Sequence, residues 1–229
     1  MDATKIQRIV VRGTNWVGDA VMTIPALRAL RGLLPEAKIT LATRSWAEGL
    51  FAEADFIDDI LVYERRSFTS VFSQARAYRN AKFDLAILFQ NAFEAAFIPF
   101  VASVPNRIGF ATEGRRFLLT HPVELPDWRS SKHEVFYYLY LIAALEQTLS
   151  SSNKVCEHEP DISLSLSEFN RAQAASLLRT NGLTEGKGIV AICPGSINSR
   201  AKRWPAEKFA ALADRLLEDN RRVVLIGSS

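Results

Sequence analysis

Near the start of the chain an aspartate stands where a strand gives way to a helix, and there it could act as a base. Residues 9–11 read as an apolar strand, Gly13 and Gly18 mark the turn that follows, and Asp19 begins an amphipathic segment. The first N–H groups of a helix are unpaired and its dipole is positive there, so this arrangement accommodates negative charge. Asp19 is therefore a candidate general base. An aspartate that merely complements the helix dipole is the alternative interpretation.

A cluster of cations in a second loop could hold phosphate. The segment from Cys193 to Pro205 reads CPGSINSRAKRWP, which places three cations within four residues just before a helix. The groups that this loop offers come from Ser196, Asn198, Ser199, Arg200, Lys202 and Arg203. Cations neutralise a diphosphate, and the N–H groups of a helix bond its oxygens. The loop predicts a phosphate site, with a solvated basic turn as the alternative.

Other side chains could contact a second substrate. Asn15 and Trp16 belong to the first loop, where Trp16 could touch substrate or pack beneath the turn. Arg107 begins a short strand and the Arg115–Arg116 pair follows a glycine, so these arginines could hold an acidic group. A charged loop with no ligand explains the three arginines equally well.

The histidine and cysteine pattern does not indicate a metal site. His133 has no second histidine or cysteine at ligand spacing, so a capping or polar contact is the favoured interpretation, although it could face a cleft. Cys156 and Cys193 are far apart in the sequence and form no C-x-x-C motif, which fits a reduced, cytoplasmic compartment.

Bulk composition narrows the class of protein. The chain has 229 residues, 48% of them hydrophobic and 23% charged, which allows one large domain or two small ones. A net charge of +3 gives no strong attraction for nucleic acid. The apolar stretches 95–104 and 136–145 are shorter than the ~20 residues that span a bilayer, so they are predicted to be core helices. A face that docks on a membrane is the alternative for them.

Alternating strands and helices must position these groups. Strands are predicted over 8–12, 38–43, 59–62, 84–89 and 107–110, and helices over 19–34, 45–54, 68–81, 91–101 and 132–149. Such alternation predicts an α/β fold with a parallel sheet and crossover helices. Pro25 predicts a kink or a late start in the first helix.

After residue 149 the sequence becomes polar and then repeats the opening pattern. A helix is predicted over 166–181 with Gly182 ending it, then a strand over 188–193, a helix over 206–218 and a strand over 222–226. Two strands and two helices bury little apolar area. We therefore expect the second domain to be incomplete and the chain to be C-terminally truncated.

The glycine spacing argues against a dinucleotide-binding enzyme. Gly13 and Gly18 lie five apart, which fits neither G-x-G-x-x-G nor the Walker motif. The second strand leads to Arg44, where a dinucleotide site needs an acid for the ribose. A nicotinamide-dependent enzyme is thus disfavoured.

The run GTNWVGDAVMTIPALR, from Gly13 to Arg28, resembles the N-terminal signature of the ADP-heptose:lipopolysaccharide heptosyltransferases of glycosyltransferase family 9, and is most like heptosyltransferase II. The resemblance continues, in order along the chain, through the segments FQN, RIGF, KH, PGS and KRWP. It implies a GT-B fold. An N-terminal Rossmann-like, acceptor-binding domain would cover residues 1–160, and a linker with the first part of an ADP-heptose-binding domain would cover 161–229.

The resemblance further implies an inverting transfer of L-glycero-D-manno-heptose from ADP-heptose to the heptosyl-Kdo2-lipid A inner core, with no cofactor and no metal. Asp19 matches the base proposed for the family, and Lys202 matches the lysine that holds the ADP phosphates. The implied helpers at the phosphates are Ser196, Asn198 and Arg203, and the implied acceptor contacts are Asn15, Trp16, Arg107, Arg115 and Arg116.

Expectations about partners follow from the same resemblance. They are ADP-heptose, a lipid A–Kdo–heptose acceptor, and peripheral contact with the cytoplasmic face of the inner membrane, with no nucleic acid. Because further donor-binding motifs of the family are missing, we expect this chain to show little or no transferase activity. The alternatives are a catalytically inactive module that binds the acceptor or the nucleotide sugar, and acceptor use of the heptosyltransferase I type.

Overall fold

The computed structural model describes residues 1–64, 68–150, 152, 154–156, 159–183, 188–195 and 200–227. The chain divides into two compact units, Met1–Ser165 and Leu166–Ser229. Both units alternate strands with helices. The division after Ser165 lies close to the domain boundary predicted after residue 160.

The described residues of the first unit form a six-stranded parallel sheet. Its strands are Arg8–Arg12 (β1), Lys38–Thr43 (β2), Asp59–Val62 (β3), Leu85–Leu88 (β4), Asn106–Phe110 (β5) and His121–Val123 (β6). Their spatial order is β3-β2-β1-β4-β5-β6, so the order reverses at β1. The central strands are almost continuously apolar because helices cover both faces of the sheet, as parallel sheets require.

Helices form a layer on each face of this sheet. They are Val17–Met22 (α1), Ile24–Leu33 (α2), Ser45–Phe51 (α3), Phe68–Ala81 (α4), Phe93–Val101 (α5) and Glu134–Ser150 (α6). Buried side chains of α2, α3 and α6 share one apolar core with Ile9 and Val11 of β1. Those of α4 and α5 share a second core with Val10, on the opposite face. The two cores lie on opposite faces because successive side chains of a strand point to opposite faces of the sheet.

The predicted first helix is in fact two helices. α1 begins at Val17, before the predicted start, and ends at Thr23, whose hydroxyl donates to the carbonyl of Ala20. Thr23 is also the residue that precedes α2, and Pro25 occupies the first turn of that helix. Proline fits the first turn because its missing N–H would be unpaired there anyway. The break therefore falls before the proline.

Strand β6 was missed by the sequence prediction. It has three residues, includes Pro122 and lies at the edge of the sheet. Proline lacks an N–H group and is confined to edge strands and strand ends, so a short run that contains it gives a weak strand signal.

The two apolar stretches are core helices, as predicted. Residues 95–104 belong largely to α5 and residues 136–145 to α6, and both helices contribute many buried side chains to the cores. Among the described residues, no helix is both long and apolar enough to cross a membrane.

The second unit contains the helices Glu168–Thr180 (α7) and Ala206–Glu218 (α8) and the strands Ile189–Ile192 (β7) and Arg222–Leu225 (β8). The two strands pair in parallel. Gly182 has φ +70°, and Leu183 donates to the carbonyl of Leu178, which closes the end of α7 as predicted.

Candidate functional site

Loops from four neighbouring strands meet at the carboxyl edge of the six-stranded sheet. They follow β1, β2, β3 and β4, and they carry Trp16, Arg44, Tyr63 and Gln90 respectively. In an open parallel sheet, ligands bind outside the carboxyl ends of the strands where the strand order reverses. Here that reversal occurs at β1, the strand that leads to the first loop.

Asp19 lies in the first turn of α1 and is half-buried. The hydroxyl of Tyr138, on α6, donates to its Oδ1 atom at 3.4 Å. Burial, and then the negative charge of Asp19, raises the pKa of Tyr138. Tyr138 thus keeps its proton at neutral pH and remains a donor, while Asp19 is an acceptor. This arrangement suits a carboxylate that is to take up a proton from another molecule.

The Tyr138 ring is itself firmly placed. It packs edge-to-face on Phe89 with the ring centroids 5.4 Å apart, and in the same way on Tyr137 at 5.6 Å. The Tyr137 hydroxyl accepts from Asn91 Nδ2 at 2.7 Å. Contacts with the loop after β4 therefore fix the part of α6 that faces Asp19.

Two buried arginines hold the loop after β4. Arg12, at the end of β1, donates from Nη1 to Gln74 Oε1 at 2.7 Å and from Nε to Gln90 Oε1 at 3.3 Å. Arg115 donates from Nε to the carbonyl of Phe110 at 2.9 Å and from Nη1 to the carbonyl of Gln90 at 2.5 Å. Arg115 also reaches Asn91 Oδ1 at 3.1 Å. The loop is clamped by two cations, one at the end of β1 and one in the segment that follows β5.

Arg115, one of the predicted acceptor contacts, is fully buried. Burial lowers its pKa to about 10, against the opposing effects of Tyr137 and Glu113. Its described hydrogen bonds run to carbonyls and to one amide of this chain. The geometry gives Arg115 a positioning role, and direct contact with an acceptor stays a prediction.

The described contacts of the other two predicted arginines are with β5, β6 and the segments beside them. Arg107 lies on β5, where it pairs in register with Ala86 of β4. The last pair of this register, Gly109 with Leu88, lies two residues further along the strands. Its guanidinium donates to the carbonyls of Val104, at 2.5 Å, and Leu118, at 2.7 Å. Arg116 is exposed and forms an ion pair with Glu124. Contact of these two arginines with an acceptor stays a prediction.

The predicted residues Asn15 and Trp16 lie in the same loop as Asp19. They line a cavity of about 360 Å³ at the carboxyl edge. Described residues of three other loops and of α5 complete its wall: Arg12, Arg44, Ser45, Trp46, Tyr63, Glu64, Gln90 and Glu94. We call this cavity the edge pocket. A cavity of this size is typical of small-molecule sites.

Arg44, Trp46 and Tyr63 are candidate ligand contacts that the sequence did not reveal. In the sequence, Arg44 is notable only because a dinucleotide site would have an acid at that position. Residues 44 and 46 follow β2 and residue 63 follows β3, and what brings them together is the parallel register of these two strands. The available signal was a basic residue directly after β2 and an aromatic residue directly after β3.

His133 precedes α6, and its Nδ1 atom accepts from the backbone N–H of Val135 at 3.3 Å. This is the capping contact that the sequence favoured. The neighbouring Lys132 ammonium lies 5.1 Å from the centre of the Trp128 ring. Among the described residues, no three histidine, cysteine or acidic side chains gather as a metal site would require.

In the second unit, the predicted phosphate loop is described in part. Lys202 ends a short 3₁₀ helix, Arg200–Lys202, and both Lys202 and Arg203 are exposed. Trp204 packs edge-to-face on Phe209 at 5.1 Å, which fixes the start of α8 beside these cations. Ser196 and Asn198 lie outside the described residues.

Comparisons with known proteins give a consistent result. Residues 71–229 match glycosyltransferase family 9 (heptosyltransferase). The chain is 27% identical to the lipooligosaccharide heptosyltransferase 2 of Haemophilus ducreyi, over 96% of this chain and 63% of that protein. It is 26% identical to the lipopolysaccharide heptosyltransferase 2 of Escherichia coli K12, over 97% of this chain and 64% of that protein.

A solved structure matches as well. The E. coli ADP-heptose lps heptosyltransferase II is similar with a TM-score of 0.79 and 26% identity, over 97% of this chain and 65% of that one. The chain spans slightly less than two thirds of the length of each of these relatives.

Proposed function

The chain belongs to glycosyltransferase family 9, the heptosyltransferase family, and from that membership we propose that the protein which carries it transfers L-glycero-D-manno-heptose from ADP-heptose to the heptosyl-Kdo2-lipid A inner core. Support comes from relatives that are named lipopolysaccharide and lipooligosaccharide heptosyltransferase 2. The similar solved structure is named for ADP-heptose, which supports the donor.

In the proposed reaction, Asp19 takes the proton of an acceptor hydroxyl. The acceptor oxygen then forms a bond to the anomeric carbon of the heptose as the bond from that carbon to the β-phosphate oxygen breaks. The electron pair of the broken bond leaves with ADP, and a single displacement of this kind inverts the anomeric centre. A positioned general base typically contributes ~10²–10⁴-fold to the rate. Lys202 offsets the charge that develops on the leaving diphosphate.

The hydrogen bond from Tyr138 to Asp19 is the observation that carries this assignment. It holds the carboxylate in place in the first turn of α1. A half-buried aspartate in such a place can accept a proton from a neighbouring hydroxyl. The same loop supplies Asn15 and Trp16 to the edge pocket.

The remaining assignments are proposals of the same kind. Arg203, Ser196 and Asn198 would assist Lys202 at the donor phosphates. Asn15, Trp16, Arg107, Arg115 and Arg116 would contact or position the acceptor. We propose that no metal or cofactor takes part, and that the protein works in peripheral contact with the cytoplasmic face of the inner membrane, where its lipid acceptor is made.

The test compares heptose transfer by the wild type and by Asp19→Asn in the complete protein that carries this chain, with release of ADP from ADP-heptose as the readout. We expect turnover to fall by at least 10²-fold, as loss of a general base predicts, while the affinity for ADP-heptose stays near that of the wild type. Asp55→Asn is the control, because Asp55 is an exposed aspartate of the same unit that pairs with Arg28 at 3.6 Å. Weakened donor binding with normal turnover would contradict the assignment of Asp19 as base.

Two acceptors should be offered in that assay. Transfer to heptosyl-Kdo2-lipid A supports the proposed acceptor, whereas transfer to Kdo2-lipid A alone would indicate acceptor use of the heptosyltransferase I type. Binding of acceptor without ADP release from either mixture would indicate an inactive binding module.

A further inference from the structure

We propose that one aromatic face of the first unit docks on an anionic lipid bilayer. This surface, which we call the phenylalanine face, consists of Phe93, Phe97 and Phe100 of α5 together with Phe117 of the short 3₁₀ helix Arg116–Leu118. The proposal rests on the proposed function in one respect, because that function makes a lipid-anchored sugar the acceptor. The choice of surface depends on the contacts, exposure and charge of these residues.

The four phenylalanines form a continuous aromatic surface. The ring of Phe93 stacks on that of Phe97 with the centroids 6.1 Å apart, and it lies at the same centroid distance from Phe117. Phe100 follows Phe97 by three positions, so both side chains lie on the same side of α5. Phe117 is 72% exposed, Phe93 44% and Phe100 43%. A contiguous exposed apolar patch marks a site of contact with another protein or with a membrane.

The opposite side of α5 is apolar as well. Its buried side chains are those of Ala95, Ala96, Ile98 and Pro99. The sequence of this helix, FEAAFIPFV, has a single charged residue, Glu94, whose carboxylate lies 3.8 Å from the guanidinium of Arg12. A surface helix of a soluble domain normally turns polar residues to water, whereas a helix that is apolar all round is covered all round. The nine residues of α5 are too few to span a bilayer, so a bilayer would cover the helix at its interface.

Arginines border the phenylalanine face. The Arg107 guanidinium lies 5.5 Å from the centre of the Phe100 ring. Arg79, on α4, donates to the carbonyl of Val101 at the end of α5, at 2.5 Å. Arg76 is exposed and lies one turn before Arg79, on the same side of α4. Arginine side chains at such a border pack their stems on apolar surface and present the charged group to lipid headgroups.

The acidic residues nearby do not offset these arginines. Residues 68–110 contain four basic residues and two acids, and residues 111–124, around Phe117, contain two of each. Of the two acids in 68–110, Glu94 faces Arg12, and Asp84 accepts from the backbone N–H of Arg8 at 2.9 Å, at the start of β1. An aromatic surface with a positive border favours an anionic bilayer, because apolar burial and charge attraction add there. A two-fold contact between copies of this chain would juxtapose the same arginines, so a second copy is disfavoured.

The phenylalanine face begins beside the carboxyl edge of the sheet. α5 starts directly after the loop that carries Gln90 and Asn91, and the Arg115 guanidinium holds that loop. Docking of the face would therefore bring the carboxyl edge, where Asp19 lies, close to the bilayer. A lipid-anchored acceptor would present its sugars there while its acyl chains stay in the membrane.

The first experiment places a fluorescent reporter on the face. Phe117→Trp is made in the complete protein that carries this chain, with Phe136→Trp as the matched control, because Phe136 is an exposed phenylalanine of α6, on the opposite side of the sheet. The vesicles contain phosphatidylethanolamine, phosphatidylglycerol and a share of phosphatidylcholine with brominated acyl chains, and bromine quenches tryptophan on contact. The wild type gives the signal of the native tryptophans, which is subtracted. We expect quenching of the added tryptophan in Phe117→Trp and none in Phe136→Trp.

The second experiment measures affinity for vesicles by co-sedimentation. Phe93→Gln/Phe117→Gln should weaken binding about 10-fold or more, because two exposed rings no longer enter the interface. Phe117→Gln alone should weaken it about 3-fold, and it gives the test if the double variant melts early. Arg76→Gln should weaken binding about 5-fold, as expected for one cation near an anionic surface. Phe136→Gln, the control, should match the wild type.

The lipid composition and the oligomeric state provide further arms. The wild type should bind neutral phosphatidylcholine vesicles at least about 5-fold more weakly than anionic ones. Equal quenching in Phe117→Trp and Phe136→Trp, or wild-type vesicle affinity in Phe93→Gln/Phe117→Gln, would overturn the proposal. A wild-type dimer that this double variant dissociates, seen by sedimentation velocity without vesicles, would also overturn it, because the face would then bind a second copy.

The two proposals fail separately. Heptose transfer is measured to an acceptor embedded in vesicles and to a deacylated, water-soluble form of it, and Phe93→Gln/Phe117→Gln should be slower than the wild type on the first alone. If the wild type docks through the face but transfers heptose to neither acceptor, the proposed function is wrong and the docking surface stands. If the wild type transfers to both and the double variant matches it on the embedded acceptor, the docking surface is wrong and the function stands.

Discussion

The hydroxyl of Tyr138 donates a hydrogen bond to Oδ1 of Asp19, across 119 positions of sequence and 3.4 Å of space. The contact joins the first loop of the sheet to α6, the longest described helix of the first unit. Because burial and the charge of Asp19 both raise the pKa of Tyr138, its proton stays on the hydroxyl. Tyr138 thereby holds one oxygen of Asp19 in place.

Tyr138→Phe should lower kcat about 5- to 10-fold while the KM for ADP-heptose stays near the wild-type value. The change removes one hydrogen bond, worth about 1 kcal/mol, and keeps the ring that packs on Phe89. Steady-state kinetics measure both constants. Tyr140→Phe, on the same helix, should leave both unchanged.

A double-mutant cycle distinguishes this positioning role from a general loss of structure. If Tyr138 acts through Asp19, Tyr138→Phe should have no further effect on kcat when Asp19 is already asparagine. Additive losses in the double variant would show that Tyr138 acts independently of the carboxylate.

Lys202→Ala should weaken binding of ADP, because it removes a cation from the proposed diphosphate site. The expected loss is about 10-fold or more, in line with about 1.5–3 kcal/mol for a hydrogen bond to a charged group. Calorimetric titration of ADP measures it. Lys208→Ala is the control, since Lys208 is an exposed lysine of α8 close by in sequence. Equal ADP affinity in Lys202→Ala and the wild type would remove Lys202 from the site.

The secondary structure of the first unit follows closely from the sequence. The bounds of β1, β2 and β3 are those predicted, because each is an apolar run bounded by polar residues. The predicted α/β fold of GT-B type is likewise confirmed by the solved structure that the chain resembles. The break at Thr23 escaped prediction, since a continuous apolar stripe gives the same pattern for one kinked helix and for two short ones.

The site could be predicted where its residues are neighbours in sequence. Asn15 and Trp16 lie in the loop before α1 and Asp19 lies in the first turn of that helix, so a local motif was sufficient to group them. Arg44 and Tyr63 join that loop through the register of parallel strands, which no local pattern encodes. Burial is equally non-local: the sequence treats Arg115 and Arg116 as one pair, whereas the structure buries the first and exposes the second.

Those adjacent arginines make a matched test of burial. Arg115→Met should lower the free energy of unfolding by about 2–3 kcal/mol, because buried acceptors such as the Gln90 carbonyl lose their donor. Arg116→Met should cost less than about 1 kcal/mol, since its ion pair with Glu124 is exposed. Urea unfolding of both variants gives the comparison. Similar losses for the two would mean that Arg115 does not clamp the loop after β4.

Glu146 provides a test of pH dependence. Its side chain is buried on α6 and accepts from the backbone N–H groups of Lys154 and Val155, each at 3.0 Å. Burial alone would raise the pKa of Glu146, but these hydrogen bonds, with help from Ser152, lower it below its ordinary value of 4.5. The folded state therefore binds fewer protons at this site than the unfolded state. The stability it contributes is present above pH 4.5 and is lost as the pH falls through the lowered value.

Glu146→Gln should accordingly lower the melting temperature at neutral pH, because the amide offers one oxygen in place of two charged ones. The difference from the wild type should shrink as the pH is lowered from about 6 to about 3, where the wild-type carboxyl also becomes neutral. Thermal unfolding followed by circular dichroism measures it. Glu36→Gln, at an exposed position, should follow the wild-type curve throughout. A constant difference between Glu146→Gln and the wild type across this range would show that the charge of Glu146 does not hold residues 154–155 in place.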